Sequence, residues 1–133
     1  METIFTKIIN GDIPSYKIAE DACFYAFLDI SPLAEGHTLV VPKNAVDYVF
    51  DIDDQTLGNM MIFAKKIAVA IKENIPCERV GVAIVGLEVP HAHIHLIPIN
   101  EIGDINFKNT KLKLSSERFA EIAEMIAGTV QQI

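Results

Sequence analysis

The spacing of apolar residues predicts three helices. The longest predicted helix runs from Asp54 to Asn74, where apolar residues recur at helical intervals after Asp53, a favourable N-cap residue. Its core face is expected to contain Leu57, Met60, Met61, Ala64, Ala68 and Ile71. A short helix is predicted from Thr3 to Asn10, and a final helix from Ser116 to Val130 with Ser115 as its cap.

Short apolar and β-branched segments between these helices predict strands. The expected strands cover residues 17–20, 23–28, 37–41, 80–85 and 92–99. Because residues 80–85 are rich in β-branched side chains, we expect that strand to be buried. Hairpins combined with two long helices favour an α+β domain in which an antiparallel sheet carries the helices. No linker or repeat divides residues 1–133, so a single domain is expected.

The candidate chemistry lies in the last predicted strand. Three of the four histidines, His91, His93 and His95, alternate there with apolar residues. Because successive strand side chains point to opposite faces, the three imidazoles should share one face. The other face should turn Ala92, Ile94 and Leu96 into the core. Three imidazoles in an apolar strand cost free energy unless each has a polar role, which favours a functional site.

Two kinds of chemistry suit this row of histidines. Imidazole is a common metal ligand, and a neutral imidazole is also a nucleophile whose neighbours can donate hydrogen bonds to phosphate oxygens. The strand offers no carboxylate or thiolate to complete a tight metal site. Phosphate chemistry is therefore the leading hypothesis, and metal binding stays open as an alternative.

Charge and cysteine content narrow the classes of function. The net charge of −7 argues against a nucleic-acid-binding protein, which needs a basic face. The two cysteines, Cys23 and Cys77, are typical of a reduced, cytoplasmic protein. We expect no signal peptide and no membrane association, since no apolar segment approaches the roughly 18 residues of a membrane span.

The histidine pattern resembles the motif of the histidine triad family, His-φ-His-φ-His-φ-φ, where φ is an apolar residue. The segments Ile4–Pro14, Ala26–Pro32 and Gly36–Lys43 also resemble the family, in the same order. The resemblance implies a five-stranded antiparallel sheet with two main helices, usually in a homodimer. It further implies hydrolysis of nucleoside phosphoramidates or dinucleoside polyphosphates, without a cofactor.

The same resemblance implies roles for individual residues toward a purine nucleotide. His93 would attack the α-phosphorus and form a nucleotidyl-histidine, which water then hydrolyses. His95 and His37 would hold phosphate oxygens, His91 would shape the row, and Asp29 would accept hydrogen bonds from the ribose. The apolar slot for the base would consist of Ile4, Phe5, Ile8, Ile13, Phe27 and Ile30.

The sequence departs from the family pattern in two places. The loop at residues 86–90 is short and lacks the usual Asn, and Pro90 has no N–H to offer a phosphate. A nucleotide-binding regulatory module with weak turnover is therefore an alternative function. Many relatives bind a structural zinc with residues that are replaced here by Thr3, Thr6 and Ala45, so no metal is expected. The lysines at 108, 111 and 113 are interpreted as a solvated surface.

Overall fold

The computed structural model describes residues 2–132 and contains three α-helices and five strands in that part of the chain. The helices are α1 (Ile4–Ile9), α2 (Asp54–Asn74) and α3 (Ser116–Val130). The strands are β1 (Lys17–Glu20), β2 (Phe24–Leu28), β3 (Thr38–Pro42), β4 (Arg79–Ala83) and β5 (Ile94–Ile99).

Each helix begins where a side-chain oxygen accepts a hydrogen bond from a backbone N–H of the first turn. Thr3, Asp53 and Ser115 accept these bonds at 3.1, 3.0 and 3.1 Å. Each bond satisfies a donor that the helix itself leaves unpaired. The predicted start of every helix is therefore confirmed.

The five strands form one antiparallel sheet in the order β1-β2-β3-β5-β4. The helices α2 and α3 pack on each other and on one face of this sheet. The predicted α+β class, with a five-stranded antiparallel sheet and two main helices, is confirmed.

Both faces of the central strands are covered, and the alternation of side chains assigns each residue to one face. In β2, Phe24, Ala26 and Leu28 join the core under α2 and α3. The intervening Tyr25 and Phe27 join a smaller cluster under α1 with Phe5. The same alternation in β5 sends Ile94 and Leu96 to the main core, as predicted, and leaves His95 on the face that carries α1.

Two local predictions are wrong. The strand predicted at residues 80–85 is β4, ends at Ala83 and lies at the sheet edge, where Val82 is 44% exposed. β-branched residues favour strands, but they do not determine whether a strand is central or at an edge. On α2, Met61 was predicted to face the core but is 48% exposed, because it lies about 100° around the helix from the buried Met60. Ile67, which was not predicted to face the core, is buried.

Among residues 2–132, none of the helices combines the length and the apolar character needed to cross a membrane.

Candidate active site

A hydrogen bond to the backbone fixes the ring of His93. Its Nδ1 lies 2.7 Å from the carbonyl oxygen of His91, and a carbonyl can only accept, so Nδ1 carries the proton. The neutral ring therefore keeps the lone pair on Nε2. His93 lies just before β5 and packs edge-on against Phe5 at 5.1 Å between centroids. This arrangement presents a nucleophilic nitrogen.

His91 is fully buried and both of its ring nitrogens are paired. Nε2 donates to the carbonyl oxygen of Pro42 at 2.7 Å, so Nδ1 accepts from the hydroxyl of Thr3, also at 2.7 Å. Burial lowers the pKa of His91, which keeps the ring neutral. Thr3 thus caps α1 and holds the residue whose carbonyl orients His93.

His37 and His95 form a directed pair. The backbone N–H of Leu33 donates to Nδ1 of His37 at 3.0 Å, so the proton of His37 is on Nε2. That Nε2 donates to Nδ1 of His95 at 3.0 Å, which leaves the proton of His95 on its own Nε2. Burial lowers the pKa of His37 to about 3 and that of His95 to about 4. Both rings are neutral donors near pH 7.

The loop after β2 places Asp29 and His37 side by side. The N–H of Asp29 donates to the carbonyl oxygen of His37 at 3.0 Å. Gly36 adopts φ 93°, and a Cβ there would lie 2.9 Å from Cγ1 of Ile75, so the turn before His37 requires glycine. The carboxylate of Asp29 accepts from the N–H of Ser31 at 2.8 Å, while burial raises the pKa of that carboxyl.

These groups face a cavity of about 470 Å³, a size typical of small-molecule sites. His93, His95, His37 and Asp29 line it, so the structure brings together four predicted site residues from separate segments. His91 does not line the cavity and lies behind His93. Residues Val85 to Val89 form one wall of the cavity, and they include most of the short loop at residues 86–90.

The predicted apolar slot is only partly assembled. Ile4 and Phe5 line the cavity. Phe27 and Ile8 pack in the cluster behind Phe5 instead. Ile13 and Ile30 do not line the cavity, and Ile30 is 69% exposed.

Outside the loop at Val85–Val89, four lining residues were not predicted as site residues: Ser31, Leu39, Phe107 and Lys111. Leu39 lines the apolar wall, and the alternation of β3 could have indicated it, since Leu39 and Val41 share the face opposite Val40. Phe107 and Lys111 come from an irregular segment after β5 that carries no periodic signal. Lys111 is half-buried, so its interpretation as a solvated surface lysine is wrong.

The histidine strand contains no acidic ligand, as the sequence shows, but the fold brings Asp29 from another segment beside two of the histidines. Donor atoms of Asp29, His37 and His95 all lie within 4.8 Å of one another. The tautomer of His37 nevertheless opposes metal binding there. Nδ1 of His37 accepts from the Leu33 N–H, so the proton of the ring is on Nε2. A metal bound at Nε2 would force that proton onto Nδ1, and the hydrogen bond from Leu33 would be lost.

Proteins with a similar sequence and a similar structure are known. Residues 10–102 match the sequence model of the HIT domain. The chain is 39% identical to an uncharacterized HIT-like protein of Borreliella burgdorferi, over 97% of this chain and 99% of that protein. It is 34% identical to an adenosine 5'-monophosphoramidase of Schizosaccharomyces pombe, over 98% and 100% of the two chains. A zinc-bound histidine triad family protein of Mycobacterium smegmatis superposes with a TM-score of 0.83, at 28% identity and over 99% and 95% of the chains.

The three residues expected at a structural zinc site from the family resemblance do not fit a zinc ion in this chain. Thr3 and Thr6 carry hydroxyls that lie 3.2 Å from each other, and the Thr3 hydroxyl is already bonded to His91. Ala45 has no donor atom. Structural zinc sites are built from thiolate, imidazole and carboxylate ligands, so these three residues supply none.

We therefore expect less than about 0.1 zinc ion per chain after dialysis against a chelator, measured by elemental analysis of the purified protein. Stoichiometric zinc that survives dialysis would contradict this assignment.

Replacing Thr3 tests the bond that supports His91. Thr3→Val removes the cap of α1 and leaves a buried imidazole nitrogen unpaired, so it should cost about 2–4 kcal/mol of unfolding free energy. Thr3→Ser should retain most of the stability. Ser115→Ala removes a helix cap alone and should cost about 1 kcal/mol. Urea unfolding measures all three, and equal losses in Thr3→Val and Ser115→Ala would contradict a role for the bond to His91.

Proposed function

Because the chain belongs to the histidine triad (HIT domain) family, we propose that it hydrolyses a purine nucleoside phosphoramidate or dinucleoside polyphosphate through a nucleotidyl-histidine. The observation that carries the proposal is the lone pair on Nε2 of His93, which the hydrogen bond from its Nδ1 to the carbonyl oxygen of His91 leaves free in the cavity. The family includes phosphoramidases, which supports a hydrolase.

The proposed reaction has two displacement steps. Nε2 of His93 attacks the α-phosphorus, the bond from phosphorus to the leaving nitrogen or oxygen breaks, and the leaving group takes a proton from solvent. Water then attacks the same phosphorus and loses a proton to solvent, the bond from phosphorus to Nε2 breaks, and the nucleoside monophosphate leaves. A nucleophile splits one difficult displacement into two easier ones.

The other cavity residues are assigned supporting roles. The Nε2–H of His95 donates to a phosphate oxygen. His37 was also expected to hold a phosphate oxygen, but its Nε2–H is bonded to Nδ1 of His95, so we assign it the role of keeping His95 in this tautomer. Asp29 accepts from the ribose hydroxyls. Ile4, Phe5 and Leu39 contact the base, while Ile8 and Phe27 support Phe5 from behind. Ile13 and Ile30 have no assigned contact with the base, since neither lines the cavity.

Two features support the alternative function, a nucleotide-binding regulatory module with weak turnover, less strongly than the geometry of His93 supports a hydrolase. The loop at Val85–Val89 lines the cavity, and Pro90 at its end has no N–H to stabilise a leaving group. A protein that binds the nucleotide but turns it over slowly would satisfy the same geometry.

A variant without the proposed nucleophile, His93, tests the hydrolase against the nucleotide-binding module with weak turnover. His93→Ala should lower turnover of adenosine 5'-phosphoramidate by at least about 10³-fold, as losses of covalent nucleophiles do, while AMP still binds within about tenfold. Turnover is measured as the amount of ammonia released, and AMP binding is measured by calorimetry. In the unmodified protein, quenching during turnover should trap a phosphorus–histidine adduct on His93.

Unchanged turnover in His93→Ala would refute the nucleophile. AMP binding without measurable turnover in the unmodified protein would instead establish the regulatory alternative.

We also propose that the chain is a cytoplasmic homodimer whose interface includes α2. Ile62 and Val69 lie two helical turns apart on the outer side of α2 and are 59% and 41% exposed. The neighbouring β4 is an edge strand with exposed Val82, and an edge of this kind pairs readily with a second copy. Exposed apolar residues on both α2 and the neighbouring β4 suit a second copy of this chain.

Sedimentation at micromolar concentration should therefore give a dimer. The double variant Ile62→Glu with Val69→Glu should weaken the dimer by at least about 100-fold, because two buried carboxylates would face each other across the interface. Met125→Glu is the control, since α3 lies on the β1 side of the sheet, away from β4. A monomeric unmodified protein, or a double variant with unchanged affinity, would refute the proposed interface.

A further inference from the structure

The irregular segment at residues 106–114 folds back over the cavity. It lies outside residues 10–102, the part that matches the HIT domain. The N–H of Leu112 donates to the carbonyl oxygen of Pro32 at 2.9 Å, and the amide of Asn109 donates to the carbonyl oxygen of Gly103 at 2.7 Å. These bonds hold the segment beside the loop that carries Asp29 and His37.

The segment contacts the phosphate-binding end of the cavity. The ring of Phe107 packs edge-on against His95, with 4.7 Å between centroids, and lies 6.4 Å from His37. The apolar wall of Ile4, Phe5 and Leu39 is formed by other elements. Lys111, four residues after Phe107, therefore enters the cavity on the side of the neutral histidine pair.

The ammonium group of Lys111 is held without being neutralised. It donates to the carbonyl oxygens of Phe107 and Asn109, the latter at 3.1 Å. Among the ion pairs of residues 2–132, none involves Lys111. An ammonium has three protons, so one donor and the full charge remain for a ligand.

The charge of the cavity makes this cation significant. Lys111 is the only lysine or arginine among the described residues that line it, and Asp29 and Glu88 contribute carboxylates. Burial keeps His37 and His95 neutral, so they offer hydrogen bonds but no charge. Lys111 is therefore the positive side chain that an anionic ligand meets in this cavity, and it also interacts electrostatically with the carboxylate of Asp29.

We propose that Lys111 binds the phosphate of the nucleotide and makes the site selective for nucleotides over nucleosides. This inference rests on the proposed function, because it assumes that a nucleotide occupies the cavity. It assigns a specificity role to a residue outside the histidine motif.

Binding of AMP and of adenosine, measured separately by calorimetry, tests the role of Lys111. Lys111→Met keeps the length of the side chain but removes its charge. It should weaken AMP binding by about 10- to 100-fold, the usual effect of losing a hydrogen bond to a charged group, and weaken adenosine binding less than about twofold. Lys111→Arg should retain most of the preference for AMP. The dependence of AMP affinity on salt should also become shallower in Lys111→Met.

The matched controls are Lys108→Met and Lys113→Met, which remove the same charge from exposed positions of the same segment. Both should bind AMP like the unmodified protein. Equal weakening of AMP and adenosine in Lys111→Met would reveal a role limited to holding the segment and would overturn the inference. An unchanged ratio of the two affinities, or the same loss in Lys108→Met, would also overturn it.

The same measurements separate this inference from the proposed function. If AMP binds and Lys111→Met loses it selectively while no substrate is turned over, the inference stands and the hydrolase proposal fails. If the unmodified protein binds no AMP, both fail.

Discussion

The hydrogen bond from Nδ1 of His93 to the carbonyl oxygen of His91 is the constraint on which the site depends. A neutral imidazole has one donor and one acceptor, so fixing the donor on the backbone fixes the acceptor in the cavity. That carbonyl is itself held in place, because both ring nitrogens of His91 are bonded, one to Pro42 and one to Thr3. The proposed nucleophile is thus oriented by buried backbone and side-chain groups, without a carboxylate partner.

The two-sided sheet makes this arrangement possible. Apolar residues of β2, β3 and β5 alternate between the main core and the smaller cluster around Phe5, so both faces of the central strands exclude water. Imidazoles placed on the second face are therefore buried, and burial disfavours their charged forms. Lowered pKa values at His37 and His95 follow from the packing of the sheet as much as from their immediate partners.

The sequence predicted most reliably what local patterns control. The bounds of α2 and α3 followed from their capping residues and helical periodicity, and the burial of Ile94 and Leu96 opposite His95 followed from strand alternation. The predicted strand began at Ala92, whereas β5 begins at Ile94, so His91 and His93 lie before it. The burial of β4 was mispredicted because its position at the sheet edge depends on the order of strands, which no local pattern encodes.

The site was predictable to the extent that its residues lie in motifs. His37, Asp29 and the triad lie in segments that resemble the family, and the structure brings four of these five residues to one cavity. Ile13 and Ile30 lie in the same segments but point elsewhere, since adjacency in sequence does not set side-chain direction in loops. Lys111 and Phe107 could not be found, because only tertiary hydrogen bonds such as that between Leu112 and Pro32 bring their irregular segment to the site.

A division of roles follows from these constraints. The buried pair of His37 and His95 is neutral, so in the proposed site it stabilises a phosphate only through hydrogen bonding and local dipoles. Any positive charge has to come from a side chain with a high pKa that can reach the cavity from outside the sheet. A strand position cannot supply it without burying a lysine in the core, which is costly. An irregular segment beyond β5 can, because its lysine keeps polar backbone partners while its charge faces the ligand. In the proposed function, the sheet thus sets the chemistry, and a side chain of the segment at residues 106–114 sets the discrimination among ligands.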